Sequence, residues 1–294
     1  MLRAQRRNLG ATLTIIPFWV IILGGYIGTI VWTVYISLTS SRMLPNTSFV
    51  GLDQYQRLFG LGRWSLAVHN LVVFGLLLMA LCLIIGFLLA VMLDRQIRAE
   101  GVVRTIILYP HAISFIVTGL VWQWMLNPTV GIEKAVRDFG WSTFAFDWLI
   151  RPEMAIYALV LAGVWQGSGL IMALMLAGLR GIDQDIWKAA RIDGIPTWRV
   201  YLSIVIPMMR PTIITCVVLM SLSIVKVYDL VVALTGGGPG LSTDVPAKFI
   251  MDFLFERSNI GLAAAAATTL LVFVLMIFVP WYYVEYCRDK KGAN

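Results

Sequence analysis

The chain has 294 residues, 59% of them apolar and only 13% charged, with 23 Lys and Arg against 16 Asp and Glu. Its mean hydropathy is +0.83, whereas a soluble domain carries roughly 25% charged residues. A globule of this length cannot hide so much apolar surface in itself, which excludes a disordered chain, a typical soluble enzyme and a nucleic-acid-binding tail protein, and puts part of the surface against lipid.

A spanning helix needs about 20 mainly apolar residues, because the hydrocarbon core is ~30 Å thick and a helix rises ~1.5 Å per residue. In chain order, residues 13–38, 71–93, 106–127, 154–179 and 259–284 are free of charge, and 211–234 is apolar except for Lys226 and Asp229. This predicts an all-α membrane protein with six transmembrane helices. Residues 1–12 form an N-terminal segment, 13–284 the membrane domain and 285–294 a tail. Arg3, Arg6 and Arg7 could head a signal peptide, but the apolar run after them is too long and has no clear cleavage site, so it is read as a retained first helix.

Fourteen Lys and Arg fall on the N-terminus, second loop, fourth loop and tail, against eight on the other three loops. By the positive-inside rule both termini are cytoplasmic, N-in/C-in, and the net charge of +7 is topological rather than a nucleic-acid footprint. Cys82, Cys216 and Cys287, with His69 and His111, are too scattered for a disulfide framework or a metal site. Cys82 and Cys216 read as small core residues, and the two histidines as packing residues near span ends. Gly24, Gly28 and the alanines 263–267 read as places where helices approach closely, and Arg288 and Lys290 as a cytoplasmic anchor.

The fourth loop, 180–210, is long, cytoplasmic and patterned. Asp183 can cap a helix with Asp185 in its first turn; Gly194 supplies a left-handed stop, and Pro196 follows. A second helix can start near Thr197 and run towards Pro207. A plain solvated re-entry loop is the competing reading.

Lys188-Ala189-Ala190, then Gly194 after three residues, and Ile204-Val205-Ile206-Pro207 after nine more, resemble the EAA motif of binding-protein-dependent ABC importer permeases, E-A-A-x3-G-x9-I-x-L-P. Lys188 stands where the motif has glutamate, and Ile206 where it has leucine. Gly51-Leu52-Asp53-Gln54-Tyr55-Gln56-Arg57-Leu58-Phe59, Trp122-Gln123-Trp124-Met125-Leu126-Asn127-Pro128 with Gly131, and Thr235-Gly236-Gly237-Gly238-Pro239-Gly240 resemble three further segments of carbohydrate permeases of the MalF-like kind. Around Lys226 and Asp193-Gly194 the chain is most similar to permeases of glucose/mannose and glucoside importers.

The resemblance implies a MetI-like type I importer permease fold in the bacterial inner membrane. It also implies no catalytic or metal site in this chain, with ATP and Mg on partner subunits. Those partners are two ATPase subunits, a second, MalG-like permease and an extracytoplasmic solute-binding protein. Lys188, Ala189, Ala190, Asp193 and Gly194 are then the ATPase-coupling candidates. The glycine loop at Gly236 is not a Walker A, since no Gly-Lys-Ser/Thr follows.

The substrate path needs polar groups inside the membrane. Lys226 and Asp229, three apart in a continuous helix, could pair, and with Tyr228 could line a sugar cavity or form a structural ion pair against the second permease. Trp165, Gln166 and Ser168 in the fourth span could stack on a sugar and bond its hydroxyls, as this segment and the Lys226 region do in the maltose permease that it resembles. Gly163 and Gly167 make close helix packing the alternative there. The substrate is expected to be a mono- or disaccharide. An anionic sugar derivative facing Lys226 stays open; an ATP-independent secondary transporter is disfavoured by the coupling loop, and an intramembrane enzyme by the lack of a catalytic motif.

Overall fold

The computed structural model describes residues 16–95 and 98–292, with the backbone alone at 277 and from 280 onward. Residues 1–12, with Arg3, Arg6 and Arg7, lie outside the described residues, as do the side chains of Cys287, Arg288 and Lys290.

The described chain is helical, with one antiparallel bridge, Thr39 to Phe49. In order the helices are α1 (Ile16–Ser37), α2 (Asp53–Gly60), α3 (Gly62–Asp94), α4 (Glu100–Leu108, prolonged by a 3-10 turn Tyr109–Ala112), α5 (Phe115–Met125), α6 (Ile132–Asp138) and α7 (Pro152–Arg180). Then follow α8 (Gln184–Ile192), α9 (Thr197–Met208), α10 (Arg210–Val225), α11 (Asp229–Leu234), α12 (Pro246–Met251) and α13 (Ile260–Gly292).

Helices α1, α3 and α7 are each long and apolar enough to cross a membrane. Two expected straight spans are bent instead. The third divides into α4 with its turn and α5, at 99° to each other. Pro110 lies in the turn, and Ser114 opens α5 by accepting from the Ile116 amide at 3.3 Å. The fifth, expected over 211–234, opens with α10 at 70° to the loop helix α9 about Met209, where Pro211 has no N–H to return. It stops at Val225, short of residue 234, and α11 is a separate helix of 6 residues.

Two compact units are formed, one by residues up to Trp64 and from Phe249, the other by Ser65–Lys248. In the first, α13 packs on α1 and α2. Ala263, Ala264, Ala265 and Ala266 are buried, as expected for an approach surface, and Gln54 donates from Nε2 to the Thr39 carbonyl at 3.0 Å. Arg63 pairs with Asp252 and lies over the Phe249 ring. Gly24 and Gly28 meet no other helix, because α1 is largely exposed along its length.

The second unit is built around α7, whose apolar side chains are mostly buried. Gly163 and Gly167 bring it against Leu78 and Cys82 of α3, and Cys216 is buried as well. Helices α5 and α11 touch so closely that a Cβ on Gly119 would lie 2.5 Å from that of Ala233. His69 and His111 are exposed rather than packed.

Candidate functional site

The fourth loop folds by its own local chemistry. Asp183 caps α8 by accepting from the Asp185 amide at 2.9 Å. At the other end Gly194 takes φ +65°, open to glycine without strain. The Gly194 amide donates to the Arg191 carbonyl, and that of Ile195 to the Ala190 carbonyl at 3.0 Å. This paired closure satisfies carbonyls that the helix end would leave open. Pro196 then starts α9 directly.

Helical spacing decides which face of α8 is available. Ile186, Trp187 and Ala190 turn toward the body of the unit; Ala190 is 5% exposed and belongs to the apolar core. Asp185, Lys188, Ala189, Ile192, Asp193 and Gly194 are exposed. The two alanines of the motif therefore lie on different faces, and only Ala189 offers a small outward surface. Lys188 Nζ bonds Asp185 Oδ1 at 2.8 Å on that outer face. Trp187 packs edge-on to Tyr201 of α9, with ring centroids 5.4 Å apart. Ile192 and Trp198 are exposed apolar side chains beside it, not singled out by the motif.

A cleft of about 960 Å³ lies behind α8, walled by Trp187, Tyr201, Arg191 and a cluster of charges at its base. There Arg180, the last residue of α7, bonds Glu100 Oε2 at 2.8 Å and reaches Asp94 Oδ1 at 3.7 Å. No local motif marks this cluster. Its sequence signal is only that two acids and an arginine stand at the ends of three apolar runs.

The candidate pathway residues separate into two groups. Gln166 on α7 is 2% exposed; its Nε2 donates to the Ile113 carbonyl at 2.7 Å, and its Oε1 has no partner among the described residues. It borders a cavity of about 70 Å³ together with Leu78, Cys82, His111, Ser223 and Val227. Trp165 is partly exposed and meets Trp122 edge-on at 6.0 Å, while Ser168 is buried. Lys226, Tyr228 and Asp229 do not line this cavity, although Val227 between them does; they stand at the break between α10 and α11. Lys226 closes α10 and Asp229 opens α11, both exposed, and Tyr228 is half-buried between them. The expected pairing on one helical face does not exist, because no continuous helix joins the two. Among the described residues no ion pair links them.

Two of the three further motif segments close in turns. Asn127 Oδ1 accepts from both the amide and the hydroxyl of Thr129, and at Gly131 a side chain would strike the carbonyls of Trp124 and Met125. In the glycine loop Gly236, Gly237 and Gly240 have positive φ, and the Gly238–Pro239 bond is cis. The Thr235 and Thr243 hydroxyls meet at 2.7 Å, and Asn70 of α3 donates to the carbonyls of Leu241 and Asp244. Among the described residues no group of three His, Cys, Asp or Glu side chains converges on a metal site.

The family model for the inner membrane component of binding-protein-dependent transport systems matches residues 83–283. A probable ABC transporter permease of Pyrococcus horikoshii is 37% identical over 265 residues, 89% of this chain and 90% of that protein. The trehalose/maltose transport system permease MalF of Thermococcus litoralis is 30% identical, with 99% of this chain and 97% of that protein covered. A bacterial ABC transporter involved in import of the acidic polysaccharide alginate has a chain of the same fold, with TM-score 0.83, 19% identity and coverage of 96% and 97%. The chain belongs to the family of inner membrane components of binding-protein-dependent transport systems and is a multi-pass permease subunit of an ABC importer.

Proposed function

We propose that this chain forms half of the translocation pathway of an ATP-driven importer of a neutral mono- or disaccharide. It pairs with a second, MalG-like permease, receives substrate from an extracytoplasmic binding protein, and takes its power stroke from two ATPase subunits that bind ATP and Mg. The observation that carries the reading is the self-closed helix α8, capped by Asp183 and ended by Gly194, with Asp185, Lys188, Ala189 and Ile192 outward.

Closure of the ATPases on ATP moves α8, which enters α7 directly through residues 181–183. The permease pair is thereby biased between inward-open and outward-open states. The Lys188 substitution fits an ATPase surface that offers an acid or a carbonyl to the Asp185–Lys188 pair. On the substrate side, Gln166 Oε1 is a buried acceptor suited to a sugar hydroxyl, and Trp165, on another face of α7 against Trp122, offers a separate stacking surface. Relatives named for trehalose and maltose support the sugar class. Lys226 sits at the negative end of α10, where the helix dipole accounts for a cation without an anionic substrate.

The test is recovery of the tagged chain from native membranes, mass spectrometry of its partners, and sugar screening of the binding protein recovered. An ATPase, a second permease and a binding protein loaded with a neutral sugar are the expected result. A chain that purifies alone and stable, or a binding protein selective for a sulfonated, phosphorylated or carboxylated sugar, would overturn the corresponding part of the reading.

A further inference from the structure

Helices α4 and α7 meet at three levels. At the base of the coupling loop, Arg180 holds Glu100, the first residue of α4, at 2.8 Å. Farther along, Gly169 admits the α4 backbone, since any side chain there would strike the Ile107 carbonyl and Leu108. At the bend beyond α4, Gln166 Nε2 holds the Ile113 carbonyl at 2.7 Å. From residue 180 to residue 166 the helix advances roughly 20 Å, at 1.5 Å per residue.

We infer that α4 and α7 form one strut that carries the movement of α8 to the bend at Ile113, and that Arg180 is the positioning residue that fastens its cytoplasmic end. The inference rests on the reading of α8 as the ATPase contact. Three features argue for transmission over simple adhesion. Arg180 is half-exposed, and ion pairs of that kind add little to stability, yet this one binds two acids from two different helices. It stands three residues before the cap of α8, so any displacement of α8 reaches it first. The far fastening, at Ile113, coincides with the 99° bend, so a rigid strut turns rotation at the coupling loop into a change of angle between α4 and α5.

A path drawn through contacts is only spatial until coupling is measured. The test uses the whole complex purified with its ATPases and reconstituted in lipid nanodiscs. Cys287 is replaced by serine, while Cys82 and Cys216 are buried. Spin labels are placed at V102C and A177C across the strut, and at V102C and Q123C across the bend, all exposed positions. Distances are read without nucleotide and after trapping with MgATP and orthovanadate.

The expected result is an unchanged, single 102–177 distance in both states and a shifted 102–123 distance. R180Q, E100Q and the double variant should each broaden the 102–177 distance, since all three break the Arg180–Glu100 bond, and the double variant should broaden it no further than R180Q, which gives up Asp94 as well. G169A, which pushes on the Ile107 carbonyl, should broaden it as well and covers the case of an R180Q chain that does not fold. A 102–177 distance that shifts on trapping in the parent chain, or one that stays narrow in R180Q and E100Q, would overturn the strut. The docking reading stands or falls separately, by disulfide capture of A189C on the ATPase. Failed capture with an intact R180Q effect removes the docking assignment and leaves the strut.

Discussion

Gln166 spends its amide nitrogen on the Ile113 carbonyl, 53 residues earlier in the chain, and its oxygen, at the edge of an apolar cavity, has no partner among the described residues. One side chain thus secures a bend in the backbone and presents a hydrogen-bond acceptor toward the interior. Gln166→Leu removes both. It leaves a buried carbonyl without its donor, at a cost of about 1–3 kcal/mol, so the melting temperature should fall and sugar uptake should fall with it. Gln166→Glu tests the two parts separately. It keeps an acceptor but loses the donor to Ile113, and should retain sugar protection against thermal unfolding better than Gln166→Leu. Equal loss of that protection in both variants would remove Gln166 from the pathway.

The two motif alanines should respond in opposite ways. Ala190→Leu overpacks a side chain that is 5% exposed, which costs about 1–3 kcal/mol. A lower melting temperature and reduced yield of the isolated permease are expected. Ala189→Leu lies on the outer face and should leave the melting temperature alone while weakening retention of the ATPase on an affinity column. Melting curves and ATPase recovery for both variants decide the matter, and the reverse pattern would mean that α8 presents its other face.

Gly194 adopts a left-handed backbone at φ +65° that disfavours any residue with a Cβ by about 1–2 kcal/mol. Gly194→Ala should loosen the exit of α8 and speed proteolytic cleavage between α8 and α9. Gly194→Asn, which tolerates this conformation, should lie between it and the parent chain. Cleavage rates in the order Ala, Asn, Gly are the expected outcome; equal rates would show that the closure does not hold the loop.

Lys226 is exposed and terminates α10 rather than facing Asp229 across a helical turn. Lys226→Gln should therefore leave the concentration for half-maximal uptake of a neutral sugar within about threefold, less than 1.4 kcal/mol. A loss of tenfold or more would return this residue to the substrate path and favour an anionic substrate.

The fourth loop was legible in the sequence because its determinants are local. Asp183, Asp185, Gly194 and Pro196 act on neighbours within a turn or two, so spacing alone identified cap, stop and restart. The face of α8 was also present in the sequence, since Ile186, Trp187 and Ala190 share a helical stripe, but the paired alanines of the motif drew attention from it. The bends were harder. Hydropathy registers apolar runs and is blind to direction, so 106–127 and 211–234 looked like straight spans. Pro110 marks where the bend within 106–127 is permitted, and Pro207 and Pro211 flank the turn from the fourth loop into 211–234, whereas the break at Lys226 inside that span has no proline or glycine and depends on α11 lying against α5 at Gly119 and Ala233. The Arg180 cluster joins three helix ends that are far apart in the chain, which no local pattern reports.

The short length of α5 bears on how the protein is made. With 11 residues it is roughly 16 Å long, about half a bilayer core, and both of its ends would leave peptide groups in hydrocarbon unless other protein covers them. Its closest partner, α11, is synthesised about a hundred residues later. The segment from Glu100 to Met125 therefore cannot settle into its bent form as it leaves the ribosome. Its bent form is complete only once α7 supplies Gln166 to the Ile113 carbonyl and α11 covers Gly119, so the fold of this segment depends on parts of the chain made after it.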